Sequence, residues 1–178
     1  ISEDSASVLN RLEGTGQLDY QIAVDHGVLG IAGRALGLAS DSRVDFPYAA
    51  YNKIKFPVAL EKNGDVRSRL YVRIKEIFAS FGIIEQAVAS LPVNGKLVCD
   101  GPVDLRKNSY GVGVAEGWRG EIVYFVITDN EGKITRVDVR DPSFVNWAVL
   151  GYAGKGNVVP DFPLINKSFN LSYSGHDV

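Results

Sequence analysis

Residues 65–92 read DVRSRLYVRIKEIFASFGIIEQAVASLP. Within this stretch Val66, Leu70, Ile74, Ile77, Phe81, Ile84, Val88 and Leu91 follow one another at intervals of 4, 4, 3, 4, 3, 4 and 3. That spacing keeps eight apolar side chains on one face of an α-helix. Asp65, after Gly64, is placed to cap the first turn, and Pro92 stops the run. A helix over residues 66–91 would be about 39 Å long. Its other face carries Arg67, Arg69, Arg73, Lys75 and Glu85. A stripe this long needs a surface to lie on, and the rest of the chain offers only part of one. The expectation is one continuous helix whose apolar stripe is incompletely covered, in a helix bundle with missing members. Exposed apolar patches of a few hundred Å² would then mark a subunit or missing-domain interface, and self-association of the isolated piece follows.

Upstream, Val8, Leu9 and Leu12 make a short helix over residues 2–12 that Gly14-Thr15-Gly16 ends. A second short helix runs from about Asp19 to Asp25. Gly27–Gly37 (GVLGIAGRALG) has four glycines in eleven residues, which points to close backbone approach or tight turns. Residues 54–60 read as extended, with Pro57 excluding a central strand. Downstream, Glu121–Thr128 and Lys133–Arg140 are β-rich runs joined by Asp129-Asn130-Glu131-Gly132. They form an antiparallel hairpin with one buried face and a slip in alternation near Arg136. Pro142-Ser143 opens a helix to about Leu150, and the tail after Gly151, with Pro160 and Pro163, reads as loop. The fold class is α+β. One unit spans residues 1–178, with a helical part over about 1–92 and a hairpin part over about 93–178.

The 178 residues carry 19 Lys plus Arg against 21 Asp plus Glu. A net charge of -2 without a basic cluster argues against a nucleic-acid partner. Cys99, the sole cysteine, can form neither an internal disulfide nor a cysteine-built metal centre. No histidine lies near it in sequence, so it reads as a small half-buried residue rather than a nucleophile. His26 and His176 stand 150 positions apart and make no metal site by themselves. Gly27, Gly30 and Gly33 follow no strand, and Gly151–Gly156 lacks the Lys-Ser or Lys-Thr of a phosphate loop. No apolar run is long enough to span a membrane. The chain starts at Ile1 and contains no methionine, which reads as a piece of a longer protein or a processed chain.

Three polar spots remain: Asp41-Ser42-Arg43 with Asp45-Phe46-Pro47-Tyr48, then Glu116–Glu121 leading into the hairpin, then Arg140–Phe144 leaving it. Taken singly, each reads equally as a surface turn with solvated charges.

At these spots the chain resembles the large-subunit family shared by nickel-iron hydrogenases and respiratory complex I. The matching residues run in order. Leu9–Leu12 and Gly14–Leu18 match the opening segment. Gly27–Gly30, Arg34, Gly37, Asp41 and Arg43 match its glycine-rich segment and Asp-x-Arg, with Pro47-Tyr48 and Tyr51 in register. Gly64-Asp65, Arg69, Arg73, Glu76, Ser80, Ile84, Gln86 and Leu91-Pro92 match a long helix. Glu116, Arg119–Glu121, Arg140, Pro142–Phe144, Asn146, Asp161, Pro163–Ile165 and Ser168 complete the set. Among the branches it looks closest to energy-converting hydrogenases and formate hydrogenlyase, with complex I next.

The departures carry as much meaning. Hydrogenases of this family hold nickel and iron between two Cys-x-x-Cys pairs, and the second pair would fall in the C-terminal tail. Ser172 and Gly175 stand at those positions, and neither can replace a thiolate. Trp118 replaces the proline usual before Arg119. The resemblance therefore implies a metal-free large subunit of a membrane-associated oxidoreductase complex, peripheral to the cytoplasmic face of the membrane. Such a subunit contributes to a quinone-type or proton-coupled electron-transfer cavity. It implies no cofactor in this chain, a small iron-sulfur subunit and membrane subunits as partners, and a quinone as ligand. Asp41, Arg43, Arg119 and His176 are the candidate residues of that cavity. The alternatives are that Asp41 and Arg43 merely pair to fix a turn, that the subunit is degenerate and serves only assembly, and that it is an active nickel-iron hydrogenase.

Overall fold

A computed structural model describes residues 6–95, 98 and 104–177; Cys99 and the expected start of the first helix, residues 2–5, lie outside them. Among the described residues seven α-helices and a three-stranded sheet follow in order: α1 (Ala6–Leu12), α2 (Tyr20–Asp25), α3 (Gly30–Arg34), α4 (Ser42–Asp45), α5 (Val66–Ala89), β1 (Tyr110–Gly117), β2 (Gly120–Thr128), β3 (Ile134–Arg140), α6 (Pro142–Gly154) and α7 (Phe162–Phe169). Aspartates open four of the helices. Asp19, Asp41, Asp65 and Asp141 each accept a backbone N–H from the first turn of α2, α4, α5 and α6.

The core joins both ends of the chain. Leu18, Ala23, Val28, Ala32 and Leu36 pack with Val66 of α5, with Val149, Leu150 and Ala153 of α6, and with Ile165 and Phe169 of α7. Asn146 of α6 is buried here and clasps the start of α3. Its side-chain amide donates to Leu29 O (3.1 Å), and its Oδ1 accepts the Leu29 N–H (3.0 Å). The glycine-rich segment does make the expected close approach. Gly30 has φ +61°, and a Cβ there would stand 2.0 Å from the carbonyl oxygen of Arg119. The turn between β1 and β2 therefore rests directly on the first turn of α3.

The long helix forms as its spacing predicts, but the face it buries is not the apolar one. Arg69 and Val72 are buried and Glu76, Ala79, Ile83 and Gln86 half-buried, whereas Ile77, Phe81, Ile84 and Val88 are 48–62% exposed. The stripe is covered only at its start, by the core contact of Val66. The covered face is rotated by about one residue, and it mixes polar side chains with apolar ones: Val72 packs with Ile31, Ala35 and Ala59. Gln86 pairs with the backbone of Lys55 in both directions, at 3.0 and 2.8 Å, and so holds the extended segment 54–60 along the helix. Arg69, outside the apolar stripe, is fully buried. Its guanidinium donates to Gly64 O (2.6 Å), Gly16 O (2.8 Å) and Ser168 Oγ (2.8 Å) and lies over the ring of Phe169. Burial, with Arg73 adding and Asp65 opposing, pulls it down to about 9, so it stays cationic at neutral pH.

The sheet is a meander in the order β1-β2-β3, antiparallel throughout. The hairpin of β2 and β3 stands where the sequence puts it. Ile127 pairs with Arg136 and Thr128 with Ile134, so Thr135 is the extra residue of a bulge beside Arg136. Two expectations fail. The hairpin has no buried face: Ile134 and Val137 are about half exposed, because the main helix contacts of the sheet, from α3, α4 and α6, fall on β1 and β2 rather than on β3. The tail after Gly151 is not loop. The helix that Pro142 opens runs on to Gly154, and α7 follows with Pro163 in its first turn, where a missing N–H costs nothing.

Candidate functional site

Arg34, the last residue of α3, is the hub of the site. Its guanidinium is buried among three carboxylates from three elements. Nη1 donates to Glu116 Oε1 of β1 (2.8 Å) and to Ser40 O (3.0 Å) and lies 3.8 Å from Asp41 Oδ2. Nη2 stands 2.8 Å from Glu76 Oε1 of α5. This last contact is an ion pair without an aligned hydrogen bond, for Glu76 Oε1 and Arg34 Nε both lack a hydrogen-bond partner.

Asp41 and Arg43 complete the cluster. Asp41 is buried and accepts the Arg43 N–H (3.0 Å), Nε (2.9 Å) and Nη2 (2.6 Å). Burial pushes its carboxyl up, but Arg43 and Arg34 outweigh that and hold it below the usual aspartate range. The same hydrogen bonds hold Arg43 well above its ordinary value, and its guanidinium also lies over Phe56. Glu116 takes a second donor from the Ser42 N–H (3.0 Å), and Ser42 Oγ donates to Glu121, which also pairs with Arg140.

The cluster opens on one side. Arg34, Arg43, Glu76 and Glu116 form the polar wall of a cleft of about 310 Å³. Ile77, Phe81 and Ile84, from the uncovered stripe of α5, and Trp118 form its apolar wall. A cleft with a guanidinium and carboxylate end and an aromatic and aliphatic end suits a flat, mostly apolar ligand with polar oxygens.

The four residues named from sequence divide between two places. Asp41 and Arg43 meet directly. Arg119 follows Trp118 of the cleft wall, but its side chain turns to donate from Nε to Asn170 O, at the start of the C-terminal tail. His176, in that tail, packs on the rings of Phe144 and Trp147. Among the described residues no hydrogen bond or ion pair joins His176 to Asp41, Arg43 or Arg119. Sequence reasoning missed Arg34, Glu76 and Glu116 as site residues, although all three stood among the matched positions. Their signal was a charge inside an otherwise small-residue segment, and a polar row on α5, Arg69–Arg73–Glu76–Ser80, at helical spacing.

The tail residues do not fit a nickel-iron centre. Ser172 and Gly175 do come together, the Gly175 N–H donating to Ser172 Oγ (3.0 Å). A Cβ at Gly175, however, would stand 2.5 Å from the Asp141 carboxyl carbon, so this packing has no room for a thiolate. Among the described residues no group of three or more His, Cys, Asp or Glu side chains is arranged to hold a metal ion. No helix among them is long and apolar enough to cross a membrane.

Comparison with known proteins gives these residues their context. The chain matches the profile of the family described as respiratory-chain NADH dehydrogenase, 49 Kd subunit, over residues 1–111 and 102–177. It is 34% identical over 170 residues to the carbon monoxide-induced hydrogenase of Rhodospirillum rubrum, covering 96% of this chain and 46% of that one. It is 35% identical over 167 residues to formate hydrogenlyase subunit 5 of Escherichia coli (strain K12), covering 94% and 29%. It is 34% identical over 192 residues to NADH-quinone oxidoreductase subunit 4 of Thermus thermophilus, covering 94% and 47%. The chain thus spans less than half the length of these relatives. With hydrogenase components and complex I subunits both among its relatives, as the ordered residues implied, the chain belongs to the family of the 49 kDa subunit of respiratory-chain NADH dehydrogenase.

Proposed function

We propose that this chain is part of the large subunit of a membrane-associated oxidoreductase complex, that it is metal-free, and that its cleft takes a quinone-type ligand for proton-coupled electron transfer. The observation that carries this reading is the union of the buried Arg34 cluster with the apolar wall of α5 in one open cleft. Arg43 offers donor N–H groups to a ligand oxygen, while Phe81, Ile84 and Trp118 offer surface for a ring and an isoprenoid tail. Reducing a quinone takes two electrons and two protons, and the carboxylates beside the cleft are where protons would be handled. The electrons would come from an iron-sulfur cluster in a small partner subunit. Membrane subunits would complete the complex, with this chain peripheral to the cytoplasmic face of the membrane. Arg119 and His176 serve this reading through the tail, which Arg119 ties to the β1–β2 turn.

A second reading has its own observation. Asp41 caps α4 and pairs with Arg43 two residues away, which is all that a purely structural turn needs. A photoreactive quinone analogue added to the assembled complex separates the two. Labelling within residues 77–84 or 116–118, suppressed by excess unlabelled quinone, is expected; labelling elsewhere only leaves the structural reading. Elemental analysis of the purified subunit addresses the metal separately, since stoichiometric nickel or iron would restore the hydrogenase reading.

A further inference from the structure

We infer that Glu76 is the proton-holding carboxylic acid of the cleft: the buried cluster has one carboxylate more than it has guanidiniums, and Glu76 is the member that takes the balancing proton and exchanges it with a ligand oxygen. The exchange with a quinone rests on the reading above; the proton on Glu76 does not.

The charges that face Glu76 come from several elements. Arg34 on α3 and Arg43 on α4 are positive, while Asp41 on α4 and Glu116 on β1 are negative. Asp45 adds a further carboxylate, whose Oδ2 accepts the Asp41 N–H (3.0 Å). Arg73, one turn earlier on α5, attracts Glu76 through its charge but makes no ion-pair contact with it; its N–H groups donate to Arg69 O and Phe169 O, and it lies over Trp118. Arg140 is occupied by Glu121. By direct contact, two guanidiniums thus serve three carboxylates around the cleft, Asp41, Glu76 and Glu116. In a buried setting an uncompensated anion is the state that protonation removes.

The hydrogen bonds decide which carboxylate it is. Asp41 accepts three N–H groups of Arg43. Glu116 accepts one from Arg34 and one from the Ser42 backbone. Glu76 has only the unaligned contact with Arg34, and its Oε1 is buried without a hydrogen-bond partner. An anion is favoured by the donors that reach it, so Glu76 is the weakest anion of the three. Burial pushes its carboxyl above the usual glutamate range, with the attraction of Arg34 and Arg43 only partly offsetting this. Glu76 is also the one carboxylate of the cluster on α5, directly before Ile77 of the apolar wall, so its proton faces the ligand space. In the exchange the Glu76 O–H bond breaks and an O–H bond forms on the quinone oxygen as the partner's iron-sulfur cluster supplies the electrons. Solvent then returns a proton to Glu76.

Carbon-13 NMR of the glutamate carboxyl carbons in the full chain tests the proton site, with Glu76 assigned through bonds to its own amide so that no variant is needed. A midpoint above the ordinary glutamate range is expected; a midpoint within or below that range overturns the inference. In the assembled complex, Glu76→Gln should lower kcat for quinone reduction about tenfold or more with KM little changed, and Glu76→Asp should recover part of it. An unchanged kcat and pH profile overturns the exchange step. A raised midpoint without quinone-analogue binding overturns the reading of the cleft and leaves the proton site standing. An ordinary midpoint with binding overturns the proton site alone.

Discussion

Two buried arginines, Arg69 and Arg34, sit about equally deep, 0% and 2% exposed, in opposite surroundings. Arg69 is surrounded by neutral acceptors, two carbonyls and a hydroxyl, from three separate segments. Arg34 is surrounded by carboxylates and keeps one nitrogen without a partner. A guanidinium saturated by fixed neutral acceptors has nothing left to exchange; it is a staple between the loop at residues 14–16, α5 and α7. A guanidinium shared among three carboxylates has several arrangements of charge and proton close in energy, which is what a reacting site needs. Burial alone thus does not distinguish the two arginines; the charge of their partners does.

The largest expected effect lies on the staple. Arg69→Met leaves two carbonyls and a hydroxyl without their donor and should cost about 3 kcal/mol or more, a fall of about 10 °C in Tm at this chain length. Calorimetry between pH 5 and 8 should find that loss nearly constant, since no carboxylate bonds Arg69. A loss under about 1 kcal/mol would mean that Arg69 does not tie these segments together.

Arg34→Gln should behave differently. It leaves Asp41, Glu76 and Glu116 facing one another, at a cost of about 2 kcal/mol near pH 8. The cost should shrink toward pH 5 as the cluster takes up protons. Equal losses at both pH values would erase the contrast between the two arginines.

A smaller effect concerns the pH dependence of stability itself. The carboxyl of Asp41 is held below its ordinary value, so its contribution is present above the unfolded aspartate range and is lost as pH falls through the folded value. Glu76 is raised, so its contribution is full below the unfolded glutamate range and is lost as pH rises through the folded value. Glu76→Gln, which cannot ionise, should therefore gain on the wild type as pH rises. Parallel denaturation curves for the two proteins at every pH would contradict this.

The smallest effect is expected on the outer face of α5. Phe81→Ser should change the stability of the isolated chain by less than about 0.5 kcal/mol, because the ring is more than half exposed. It should reduce any self-association seen by analytical ultracentrifugation.

Much of this architecture was legible in the residues. Helix α5, its Asp65 cap and the hairpin announce themselves through local periodicity and turn chemistry. The strand β1 does not. Gly111, Gly113 and Gly117 give it no strand propensity, and it forms because β2 offers a paired edge. Helix α7 was hidden by prolines, which read as breakers until their first-turn position is known. The incomplete cover of the α5 stripe was legible from its length against the rest of the chain; that the neighbouring face, with Arg69 and Glu76, is the one that packs was not, because apolar periodicity says nothing of polar burial. At the site, Asp41 and Arg43 were visible as neighbours in one turn. Arg34, Glu76 and Glu116 were not, since the Arg34–Glu116 contact spans 82 positions and no local pattern encodes it.

Replacing Asp41 by Asn in the whole complex puts the cleft to the most direct trial, with quinone reduction measured per assembled complex so that lost assembly is divided out. Asn keeps the shape of the side chain but removes the charge that holds Arg43 in place beside Arg34. The expected result is an assembled complex whose rate per complex is lowered severalfold. A rate per complex equal to that of the wild type would contradict a functional cleft and leave Asp41 and Arg43 as a pair that fixes a turn.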